Sequence, residues 1–109
     1  MSMEKVDKVF KTLRDIPQGL PSHFKNRKQE IESLIHSGSP TKIAKAVREL
    51  TWRKKSKNLS TSDNQMLAKG RKMLIEEIAL VTESDEAETR RRVDLALSQA
   101  VEIKQADEN

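Results

Sequence analysis

Apolar residues recur at three- and four-residue intervals along most of this chain, and no stretch of four or more residues alternates as a half-buried strand requires. Val6, Val9, Phe10 and Leu13 share one face of a first predicted helix, over about residues 3–16. Phe24, Ile31, Leu34 and Ile35 do the same over about 22–37, and Ile43, Ala46, Val47 and Leu50 over 40–57. A fourth stripe of Leu67, Leu74, Ile78 and Val81 predicts a helix over 61–82, and Val93, Leu97, Ala100 and Val101 predict a fifth over 85–104. The expected fold is all-α, a compact bundle of about five short helices with no sheet.

The punctuation agrees with the periodicity. Pro17-Gln18-Gly19-Leu20-Pro21 places two residues that cannot continue a helix around a permissive glycine, which forces a reversal. Gly38 suits the left-handed conformation that closes a helix, Ser39 suits a cap, and Pro40 suits a first helical position, where its missing N–H costs nothing. Ser60 and Asp63 have the spacing of a capping box, with Asp in place of the preferred Glu, and Leu59 is placed to staple the turn. Gly70, inside the fourth predicted helix, costs about 1 kcal/mol relative to alanine, and close helix packing is the expected compensation.

At 109 residues, with 35% hydrophobic and 35% charged positions, the chain is expected to form a single helical domain over 1–109 with a modest core. It has no cysteine, so neither disulfides nor thiolates can hold it. His23 and His36 lack a ligand-spaced partner, and no phosphate loop or nucleophile motif is present. We therefore expect no metal, no cofactor and no catalytic centre. With no signal peptide and no apolar run long enough to span a bilayer, the expected setting is cytoplasmic, at the nucleoid, without membrane contact, and the chain is expected to be a monomer.

Charge changes the picture. Residues 1–41 carry a net +2, residues 42–72 a net +8 from ten cations against two acids, and residues 73–109 a net −6. Such a concentrated positive segment is what a polyanionic partner requires. The acids Glu83, Asp85, Glu86 and Glu88 have a simpler explanation, since they fall at the start of a helix and favour its positive dipole end.

The only tryptophan, Trp52, lies in that basic segment. Each helical residue advances about 100°, so Trp52 stands about 180° from Ile43 and points away from the core stripe. Lys45, Arg48 and Lys55 project within roughly 60° of it, with Arg53, Lys54 and Lys57 close by along the chain. An indole ringed by cations suits nucleic acid: the cations neutralise phosphates, and the ring stacks on a base or wedges into an opened step. Two other readings stay open. A neighbouring helix covers the indole, or Trp52 anchors a protein interface and the cations meet an acidic partner.

The same residues resemble a known family, the C-terminal helical domain of the CarD-type bacterial transcription regulators. Asp7-Lys8-Val9-Phe10-Lys11-Thr12-Leu13-Arg14 is similar to the helix that begins that domain, and Ile43-Ala44-Lys45-Ala46-Val47-Arg48-Glu49-Leu50 to the helix before its DNA-contacting turn. Leu59-Ser60, Met66-Leu67-Ala68-Lys69, Arg71, Leu74 and Glu77-Ile78-Ala79-Leu80 follow the pattern of the next helix. The resemblance covers about residues 4–101 and implies a DNA-binding domain of a transcription initiation regulator. In that family a tryptophan wedges into the minor groove of promoter DNA at the upstream edge of the melted bubble, at the fork junction, and stabilises the RNA polymerase open complex. It also implies a polymerase-binding N-terminal domain, absent from this chain, and so a longer natural gene product. The family's tryptophan shifts by a residue between members, so Trp52 corresponds by segment.

Overall fold

The computed structural model describes residues 1–108 and contains five helices: α1 (Met3–Arg14), α2 (Phe24–Ile35), α3 (Pro40–Ser56), α4 (Thr61–Thr82) and α5 (Glu86–Glu108). No strand occurs among the described residues, as the periodicity predicts. The caps form as their residue types dictate. Ser2, Ser39 and Ser60 each accept a hydrogen bond from a backbone N–H three residues on, and Gly38 takes a positive φ of 75°. The boundaries shift by a few residues at most ends. α1 stops at Arg14, because Asp15 and the residues before Pro17 leave helical geometry. α5 runs past 104 to Glu108, where nothing in the sequence terminates it and Lys104 pairs with Glu108 at 3.5 Å.

The helix α3 forms the centre. It packs against α1, α2, α4 and α5, and from Ile43 to Leu50 every side chain except that of Lys45 is buried. The predicted core stripes of α1, α3 and α5 are all in the core. The exception in α2 is Phe24, expected to face inward but 46% exposed. It opens the helix, beyond the reach of the core, and the Arg27 guanidinium lies 5.5 Å from its ring centroid.

Arg27 is itself buried. Its Nε donates to Asp63 Oδ2 at 3.0 Å and its Nη1 to the Ser22 carbonyl at 3.0 Å, joining the start of α2 to the start of α4. This corrects the expected capping box: Ser60 accepts from the Asp63 N–H, but the shorter Asp63 carboxylate turns inward to Arg27 and leaves the reciprocal bond unmade.

At Gly70, α4 passes close against α2 and α3. A Cβ there would stand 2.8 Å from Ile35 Cδ1 and 2.8 Å from Val47 Cγ2. Gly70→Ala should gain about 1 kcal/mol in helix propensity yet lose about 1–3 kcal/mol to overpacking. The Ile35 terminus can rotate aside, but Val47 is β-branched and stiff, so the loss prevails. We expect a net destabilisation of about 1 kcal/mol, read as a lower urea midpoint at unchanged slope; a higher midpoint would contradict the close-packing account.

Candidate nucleic-acid interface

Beyond Leu50, α3 leaves the core, and the character of its side chains changes within one turn. Trp52 and Arg53 are half-buried, while Lys54, Lys55 and Lys57 are exposed; Lys45, two turns earlier, is half-buried. None of these five cations lies within ion-pair distance of a carboxylate among the described residues. Arg53, Lys54 and Lys55 also occupy the last turn, where the negative end of the helix dipole favours cations.

Arg48 must be set apart from this group. The projection turns it outward, but it is 5% exposed, with Nε donating to Glu49 Oε2 at 2.9 Å and Nη1 to the Thr12 carbonyl at 3.0 Å. A helical projection assumes one buried face and one wet face. Here α1 covers the face opposite the stripe, so Arg48 meets the end of α1 and is unavailable to an outside phosphate.

Trp52 stands between the two burial extremes. It faces the reversal between α1 and α2: Gly19, Leu20, Trp52, Arg53, Ser56 and Lys57 line a small open cleft of about 160 Å³. Arg53 Nε is buried and has no hydrogen-bond partner, an uncommon state for a buried donor. Thr51, the adjacent position, donates its hydroxyl to the Val47 carbonyl at 2.7 Å and lines a different groove, against α5.

Sequence reasoning passes over Glu49, which is 1% exposed. Its carboxylate accepts from Gln18 N at 3.0 Å and from Gly19 N at 2.6 Å, as well as from Arg48. One signal was available. The basic segment 42–72 contains only two acids, Glu49 and Asp63, and both are buried against arginines. The segment's exposed surface therefore carries no acid at all.

Residues 8–94 match the family described as CarD, C-terminal domain. The chain belongs to that family. The match covers α2, α3 and α4 whole, α1 from Lys8 onward and α5 as far as Asp94, and so includes all of α3 and its basic end. The CarD family is one of transcription regulators, a regulatory and non-enzymatic class associated with RNA polymerase and DNA. No helix among the described residues is long and apolar enough to cross a membrane.

Proposed function

We propose that this CarD-type domain binds promoter DNA at the upstream edge of the open bubble and stabilises the open complex of RNA polymerase. The observation that carries this reading is Trp52, half-exposed where α3 leaves the core and flanked by cations that lie outside ion-pair distance of any carboxylate among the described residues. Lys45, Arg53, Lys54, Lys55 and Lys57 neutralise phosphates, and the indole wedges at the fork junction from the minor-groove side. Thr51 is engaged with its own helix, which supports Trp52 as the wedge. A handful of phosphate contacts gives weak binding alone, so an N-terminal domain held on polymerase would supply the effective concentration.

The test is Trp52→Ala. Stacking on a base is worth about 1–3 kcal/mol, so the variant should bind forked DNA roughly ten-fold more weakly while its plain-duplex affinity and salt slope stay near those of the parent. Equal binding of fork and duplex by parent and variant would dismiss the wedge. Indole emission that ignores DNA but responds to an acidic protein would favour the protein-interface reading instead.

A further inference from the structure

We propose that Glu49 is the positioning residue for Trp52: through the Pro17–Pro21 turn it holds the wall beside the indole and so presets the wedge. This rests on the DNA reading above for its consequence, though not for its geometry.

The turn has few means of holding itself. Pro17 and Pro21 have no N–H, which leaves donors only at Gln18, Gly19 and Leu20. Two of the three go to the Glu49 carboxylate, Gln18 N at 3.0 Å to each oxygen and Gly19 N at 2.6 Å. Gly19 sits at φ +93°, a backbone conformation open to glycine and rarely to other residues, and it turns the Gly19 N–H toward Glu49. The carboxylate is in turn fixed by Arg48, whose other end grips the Thr12 carbonyl at 3.0 Å. The end of α1, the Arg48–Glu49 pair and the turn thus form one connected unit.

Glu49 and Trp52 are three residues apart on α3, hence neighbours on one helix face. The turn reaches across both. It is bonded at Glu49, and at the next position Gly19 and Leu20 form the side of the cleft opposite Trp52 and Arg53. Packing alone would not call for an acid here, since a buried ion pair is weak evidence for stability and an apolar pair of similar size often serves as well. A carboxylate does provide directional acceptors for two otherwise unpartnered N–H groups. With the wall held, the indole has fewer rotamers open to it before DNA arrives. Side-chain ordering of that kind corresponds to about two- to ten-fold in affinity.

The test uses the full chain, with Glu49→Gln, which turns an amide toward the donors, and Leu20→Ala, which removes the wall and leaves the ion pair intact. Trp52 is the sole tryptophan and there is no tyrosine, so acrylamide quenching and fluorescence anisotropy decay report this one side chain. Both variants should show stronger quenching and faster local motion. Both should bind forked DNA about two- to ten-fold more weakly, at unchanged plain-duplex affinity and salt slope. An indole as constrained as in the parent in both variants overturns the proposal, and so does a loosened indole with unchanged fork affinity. Should Glu49→Gln not fold, Leu20→Ala decides by the same readings. Trp52→Ala, run alongside, separates the two ideas: if it binds forked DNA as the parent does, the wedge reading fails, while quenching and anisotropy still decide whether Glu49 holds the indole.

Discussion

Replacing Asp63 by alanine should destabilise the fold by about 3–5 kcal/mol, the range expected when one partner of a buried ion pair is removed. The Arg27 and Asp63 side chains are only 7% and 3% exposed, so solvent cannot take over the missing interaction. Arg27 would keep its contact with the Ser22 carbonyl and the Phe24 ring, neither of which carries a full negative charge. Asp63→Asn should lose less, because an amide oxygen can still accept from Arg27 Nε. Replacing both residues with apolar side chains of similar volume should recover much of the loss. Urea unfolding checks the series; an Asp63→Ala midpoint equal to the parent's would show that the pair is not the junction between α2 and α4 described above.

The second large effect concerns salt. If Lys54, Lys55 and Lys57 each neutralise a phosphate, their joint replacement by glutamine should lower the slope of log affinity against log salt by about 2.7, and at about 0.1 M salt affinity should fall by two to three decades. Arg48→Ala is the informative contrast. It also removes a positive charge, yet Arg48 is inside the protein, so the slope should stay as it was while stability drops by about 3–5 kcal/mol. A flattened slope for Arg48→Ala at unchanged stability would put Arg48 back on the surface. An unchanged slope for the triple variant would remove the end of α3 from the interface.

The contrast between Arg48 and its neighbours shows where sequence reasoning reached and where it stopped. Ile43, Ala46, Val47 and Leu50 were legible because a period of 3.6 residues is a local property, and Gly38, Ser39 and Pro40 because a cap involves residues a few positions apart. Gly70 was legible too, since a glycine that weakens a helix demands a compensation, and a close approach is the common one. Arg48 was not legible. Its environment depends on α1 arriving on the far side of α3, a contact made across 36 residues of chain. Glu49 was missed for the same reason, its partners lying 30 and 31 residues away. Asp63 looked like half of a local motif, and a distant arginine outbid its own helix end. The cationic tip was read correctly as cationic, because exposed charge needs no partner to be recognised.

The placement of α3 at the centre of the bundle has a mechanical side. On the proposed reading, Trp52 bears the force with which two separated DNA strands tend to close. A tryptophan on a peripheral helix would pass that force to one neighbour, and the helix could tilt. Trp52 continues a rod gripped by α1, α2, α4 and α5, and the side chains that do the gripping end two residues before it. The free length of the lever is therefore short, and load at its tip is shared by the whole bundle.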